Sequence, residues 1–310
     1  MNNQKYIDFI GIGTQKSGTS WLYHNLKQLP EFSLPPVKEF HYFDRCHHYP
    51  THNGLSEELL SKRILRNSYL VKAVINIFKA VIKEKKKWST FVFYWRWFFR
   101  NYTDEWYLSL FERSKGYTGE ITPSYSILTK EDIQKIYDLQ PDVRLILMLR
   151  NPIERAWSHF RFSMLSKGSD ISDIELNDIV EFMESDSQSV RSDYVRTIEN
   201  YSSIFPRNQI LIGFYDAITD DPEGLMNAII SHTCDGNSVS IKNLDFSSVI
   251  NKSKALDCPE KIDFYLKARY YQQIKELSDR YGGYFTQWLK DSYKEHSNLE
   301  INSLSPTIYP

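Results

Sequence analysis

Apolar residues along the chain fall into two kinds of pattern. Continuous runs at Tyr6 to Ile12, Val143 to Leu149 and Gln209 to Tyr215 predict buried strands, and Tyr117 to Glu120 predicts a short one. Helical spacing predicts helices over Thr19 to Leu29, ended by Pro30, and over Lys130 to Leu139. A third helix opens at Asn151-Pro152, where proline is tolerated, and runs to about Ser166. Others follow Asp221-Pro222 and span Pro259 to Tyr281. Val37 to Asp44 reads as a short extended or turning segment after Pro35-Pro36, and several helices lie between Leu55 and Phe111. Ser169 to Asp186 holds seven acids and no base, which predicts a solvated helix. Strands alternating with helices predict an α/β fold, a parallel sheet flanked by helices on both faces. Without a repeat or a linker, 1–310 reads as a single domain with a helical insertion at about 55–113.

Composition narrows the classes. Of the 310 residues 41% are hydrophobic and 25% charged, which excludes disordered, collagen-like and low-complexity chains. The net charge of −1 is unlike that of a general nucleic-acid binder. Three cysteines, Cys46, Cys234 and Cys258, make no disulfide scaffold or zinc motif. Asp8 and Gly11 interrupt any signal-peptide apolar stretch, and no run of apolar residues is long enough to span a membrane. The expectation is a soluble, cytoplasmic protein.

The first strand runs into Gly13-Thr14-Gln15-Lys16-Ser17-Gly18-Thr19-Ser20-Trp21. A strand, a short Gly/Lys/Ser/Thr loop and a helix make a P-loop-like anion cradle: amides at the helix start and the helix dipole favour phosphate. Lys16 adds a mobile charge, and Gly18 lets the backbone come close. A plain βα turn capped by Thr or Ser is the alternative. The loop is no Walker A sequence, because Lys16 precedes Gly18, and VRLILML ends in Arg150 rather than Asp. A Mg²⁺-dependent ATPase or kinase is disfavoured.

Four blocks in order resemble the sulfotransferases that use 3′-phosphoadenosine 5′-phosphosulfate (PAPS), above all the bacterial and carbohydrate (heparan-type) members. TQKSGTSWL (Thr14 to Leu22) is similar to the 5′-phosphosulfate loop, and KEFHYFD (Lys38 to Asp44) to the Lys-Glu segment of the carbohydrate enzymes. GEITPSY (Gly119 to Tyr125) resembles their Glu-x-Thr-Pro-x-Tyr segment, and LILMLRNPIERAWSHF (Leu145 to Phe160) the 3′-phosphate block. The blocks cover about half of the chain. The resemblance implies PAPS as sulfuryl donor, no metal, and an acceptor hydroxyl on a carbohydrate or glycoconjugate.

It also implies roles. Lys16, Ser17, Gly18, Thr19, Ser20 and Trp21 would form the phosphosulfate site, with Trp21 read first as packing. Arg150 and Ser158 would hold the 3′-phosphate; Arg150 pairing with Glu154 is the plainer alternative. Lys252, in Asn251-Lys252-Ser253-Lys254, falls where the family places a polar loop over the nucleotide. Sulfuryl transfer needs positioning and electrostatic stabilisation of the leaving phosphate, the part assigned to Lys16. The sulfuryl group carries less charge than a phosphoryl group, so no metal is expected. Glu39 stands where the carbohydrate enzymes carry their catalytic glutamate. His41 is the second candidate base, and its alternative is a packed, hydrogen-bonded histidine between aromatics. Lys38 would bind substrate or orient Glu39, and Glu120 and Tyr125 would line the cleft. Ile121 stands where several heparan-type enzymes have a lysine, a departure that bears on the acceptor and not on the reaction.

Lys62 to Arg100 carries 11 bases against one acid, Glu84, a local charge of +10. Its aromatic run begins at Trp88 and ends at Phe99. Three readings stand: a core helix pair with a solvated basic face, a lid over an acidic or sugar acceptor, and peripheral contact with a membrane surface. A small lipid or aromatic alcohol as acceptor, and a nucleotide-binding interaction protein without catalysis, complete the alternatives. Intact Lys16 and Glu39 argue against the last.

Overall fold

The computed structural model describes residues 6–51, 55, 59–65, 67–83, 87–111, 116–166, 168, 175–246, 257–301 and 303–310. Five strands form one sheet: β1 (Phe9–Gly13), β2 (Gly119–Ile121), β3 (Arg144–Leu149), β4 (Ile210–Phe214) and β5 (Thr307–Ile308), in the order β2-β1-β3-β4-β5. The first four are parallel, with Phe9 opposite both Gly119 and Arg144, and Leu145 opposite Ile210. Strand β5 adds antiparallel to β4 through Gly213 and Thr307, an edge the sequence pattern did not announce. β1 and β4 are buried at every residue, as expected of strands covered on both faces.

The chain leaves β1 toward β2 and returns on the other side to β3. The order therefore reverses between β1 and β3, and a crevice for ligands belongs at their carboxyl ends. Helix α1 (Thr19–Gln28) follows β1 and stops before Pro30. Helices α2 (Leu60–Ile64), α3 (Asn67–Lys83), α4 (Lys87–Phe98) and α5 (Asp104–Leu108) make up the insert, and the Thr103 side chain caps α5 by accepting from Trp106 N–H. Helix α6 (Lys130–Leu139) precedes β3, and α7 (Pro152–Ser166) follows it, with Asn151 Oδ1 accepting from Ile153 N–H.

The acidic stretch holds the helix expected of it, α8 (Leu176–Glu184), while 169–174 lie outside the described residues. Extended Ser185 (φ −60°, ψ 140°) separates it from α9 (Asp186–Ser192), which begins at the last residue of the stretch. Ile179 and Met183 are fully buried, so one face packs on the core. Helix α10 (Tyr194–Ser202), short α11 (Ala217–Asp220), α12 (Pro222–Thr233), α13 (Glu260–Tyr281) and α14 (Tyr284–Ser292) complete the flanks. Among the described residues no helix is long and apolar enough to cross a membrane.

Of the two forms expected for Val37 to Asp44, extended or turning, it takes the turning one. His41 sits in the left-handed region (φ 55°), so alternation along a strand does not govern its neighbours. In the insert, Phe93 and Trp97 of α4 pack on Phe40, at 6.1 and 5.2 Å between ring centroids.

Candidate active site

The loop after β1 is held from below. Thr14 N–H donates to Met148 O of β3 (2.6 Å), and Thr14 Oγ1 is hydrogen-bonded to Ser17 Oγ (2.7 Å). Ser17 is fully buried, so it braces the loop instead of presenting its hydroxyl to solvent. Lys16 (φ 69°) and Gly18 (φ 84°) are both left-handed. Gly18 takes that conformation without strain, and a Cβ there would press on the tip of the Ile218 side chain. Thr19 opens α1, Ser20 is half-buried, and Trp21 is buried against Phe246 with centroids 5.9 Å apart, the packing role expected of it.

Three cations gather over this loop. Burial, then the charges of Arg150 and Arg161, hold the Lys16 ammonium below the ordinary lysine range. Its Nζ lies 4.4 Å from the centre of the Phe162 ring. Arg150, at the end of β3, stacks over Tyr215 (4.3 Å) and is paired with Glu154, Nη2 to Oε2 at 2.8 Å. The plainer contact read from the sequence thus exists, in a side chain that still belongs to the cationic group. Ser158 is buried on α7. Lys252 lies outside the described residues. Mutually repelling cations at a helix start fit a ligand with phosphate at both ends.

Beside them runs a row of alternating charges. Lys38 Nζ donates to Glu39 Oε1 (2.7 Å) and to Thr19 Oγ1 of α1 (3.3 Å). Glu39 Oε2 lies 3.5 Å from His41 Nε2, and His41 Nδ1 lies 2.8 Å from Asp44 Oδ2. Burial opposes a charge on His41, but Asp44 and Glu39 outweigh it and raise its pKa from 6.5 to about 9. For Glu39, burial favours the neutral acid, and the bonds from His41 and Lys38 overcome it, leaving the carboxylate below its usual range. At neutral pH His41 is an imidazolium without a free lone pair, whereas Glu39 is an ionised acceptor.

Glu120 and Tyr125, expected along the cleft, are 2% and 0% exposed. Glu120 is a buried anchor that accepts from Tyr107 OH (2.5 Å), Tyr125 OH (3.0 Å), Thr122 Oγ1 (2.6 Å) and Phe40 N–H (3.3 Å). Burial pushes its pKa up to about 7 despite those donors. Phe40 N–H also reaches Thr122 Oγ1 (2.9 Å), Ile121 N–H reaches Lys38 O (3.2 Å), and Tyr42 N–H reaches Tyr125 OH (3.0 Å). The Gly119–Tyr125 segment is therefore zipped to the loop that carries Glu39.

Residues that motif reading passed over complete the surroundings. Ser124 Oγ is 3.1 Å from His41 Nδ1, and Asp44 is fully buried behind the imidazole. Arg155, also fully buried, donates to Ser192 Oγ, while its Nε and Nη1 have no hydrogen-bond partner among the described residues. Burial, then the charge of Arg155, lowers the pKa of His159 to about 3, so His159 is neutral. Asp44 and Arg155 lie inside the recognisable blocks, yet only three-dimensional contacts show what they touch.

Comparison with known proteins gives this cleft a setting. Over 162 residues the chain is 26% identical to the membrane-associated sulfotransferase kil1 of Dictyostelium discoideum; the match covers 51% of the chain and only 23% of that protein. Its fold resembles the crystal structure of a sulfotransferase from Alicyclobacillus acidocaldarius (TM-score 0.57, 18% identity, 88% of this chain and 94% of that one). Residues 8–233, from the first strand through the phosphate loop and the Glu39 row to α12, match the Sulfotransferase family model, and the chain belongs to that family.

Proposed function

We propose that the chain transfers a sulfuryl group from PAPS to a hydroxyl of a carbohydrate or glycoconjugate, in the cytoplasm, as one domain over 1–310. The observation that carries this reading is the tie between the two halves of the site. Lys38 bridges the ionised Glu39 and Thr19, so an ionised carboxylate is fastened beside the phosphate loop.

PAPS, when bound, supplies the sulfuryl group and leaves as a bisphosphate. Lys16 and the amides at the start of α1 hold the 5′ end, and Arg150 with Ser158 the 3′-phosphate; Lys252 is assigned to the same ligand on sequence grounds. Burial desolvates the Lys16 ammonium and Arg150 and Arg161 repel it, so it gains most from negative charge growing on the leaving oxygen. Glu39 takes the hydroxyl proton, and Lys38 and the protonated His41 orient it. Three cysteines, an odd number with no scaffold spacing, agree with a reducing compartment. The name of the Dictyostelium relative is in keeping with work near a membrane.

The test is thermal stabilisation. Adenosine 3′,5′-bisphosphate should raise the Tm well above the effect of ATP, AMP or GTP, and should do so in EDTA. Equal stabilisation by ATP, or loss of the effect in EDTA, defeats the donor assignment.

A further inference from the structure

Helix α3 turns an apolar stripe to solvent. Val71, Val74, Ile75, Phe78 and Ile82 recur at i, i+3, i+4, i+7 and i+11, and all five are exposed, Phe78 by 67%. Leu59 and Leu65, just before it, are exposed as well. Helix α4 adds an aromatic ladder. Trp88 (76% exposed), Phe91, Trp95 and Phe99 succeed one another at 5.8, 6.2 and 4.7 Å between centroids. Phe93 and Trp97 of the same helix fasten it to Phe40, so the ladder is not core packing left half-finished. Contiguous apolar surface of this kind marks an interaction site.

Charge selects the occupant. The segment that bears the stripe carries 11 bases and one acid. Lys72, Lys79 and Lys83 belong to that segment. An apolar face on a strongly basic segment, with tryptophans beside it, suits a helix lying in the interface of an anionic bilayer. A second copy of the chain suits it poorly, because a symmetric contact would bring two +10 segments together.

We propose that the α3–α4 hairpin is a docking surface for an anionic lipid bilayer. Because α4 packs on Phe40, the neighbour of Glu39, docking sets the acceptor end of the cleft beside the lipid. The docking stands independently of the donor; only its meaning for the acceptor rests on the sulfotransferase reading.

The experiment is co-sedimentation of the full chain with vesicles of phosphatidylcholine alone and of phosphatidylcholine with phosphatidylglycerol. Binding should be roughly 10-fold or more stronger to the anionic vesicles and should weaken with salt. The double variant Val74→Asp/Phe78→Asp should lose about 10-fold in binding while its stabilisation by adenosine 3′,5′-bisphosphate stays unchanged. Equal binding to neutral vesicles, or wild-type binding by the variant, overturns the proposal. So does a dimer in analytical ultracentrifugation that the variant dissolves. Vesicle binding without stabilisation by the bisphosphate would instead leave docking intact and remove the donor assignment.

Discussion

Glu39 and His41 are partners rather than rivals: Oε2 of the first lies 3.5 Å from Nε2 of the second. The pair, with Asp44 behind it, keeps the imidazole protonated and the carboxylate free to accept. Glu39→Gln keeps the shape and removes the base, so kcat should fall by about 10²–10⁴-fold with nucleotide affinity near wild type. His41→Ala should lower turnover less. Steady-state rates with one identified acceptor, and bisphosphate binding by each variant, check this; loss of turnover in His41→Ala alone would move the base to His41.

The same histidine makes stability depend on pH. Its folded pKa of about 9 lies above the ordinary value of 6.5, so the native state holds a proton that the unfolded chain releases. The contribution is complete below pH 6.5 and is lost as pH rises through 9. Between those values the Tm of the wild type should fall more steeply than that of His41→Gln. Parallel slopes in differential scanning calorimetry would contradict the shifted pKa.

Arg150 is held by Glu154 across one turn. If it holds the 3′-phosphate, Arg150→Ala should weaken binding of adenosine 3′,5′-bisphosphate by about 1.5–3 kcal/mol, and should cost much less with 5′-AMP. Ser158→Ala should lose less. Glu154→Gln releases the guanidinium and should bind the bisphosphate at least as tightly as wild type. Isothermal titration reads all three.

Glu120 acts through the fold. Glu120→Ala strands the buried donors of Tyr107, Tyr125 and Thr122, and should cost about 3–5 kcal/mol in urea unfolding. Tyr107→Phe removes one donor and should cost about 1–2 kcal/mol. A stable Glu120→Ala enzyme with only a raised acceptor KM would return Glu120 to the cleft.

Much of this was readable in the chain. The apolar runs locate β1, β3 and β4 to within a few residues, because strands buried on both faces need uninterrupted apolar sequence. Strand β5 is two residues, Thr307–Ile308, in a polar tail, with no period to detect. The blocks around Lys16, Glu39, Glu120 and Arg150 can be recognised by residue type, but type does not reveal burial. Glu120 reads as a cleft acid until Tyr107, contributed by the insert, is seen to bond it. His41 reads either as a second candidate base or as a packed, hydrogen-bonded histidine until its left-handed backbone is seen to place it between Glu39 and Asp44. Both surroundings come from contacts that local sequence does not encode.

Tyr107 gives the insert a hand in the chemistry it never touches. Its hydroxyl ends on Glu120, whose other oxygen receives the amide of Phe40, one residue from Glu39. Residues about 55–113 are thus no exchangeable cassette. A chimera that grafts another enzyme's insert onto this scaffold must also supply a phenol at position 107, or it inherits a buried carboxylate with one donor missing. Any exchange of the insert in this chain means moving the Gly119–Tyr125 segment with it.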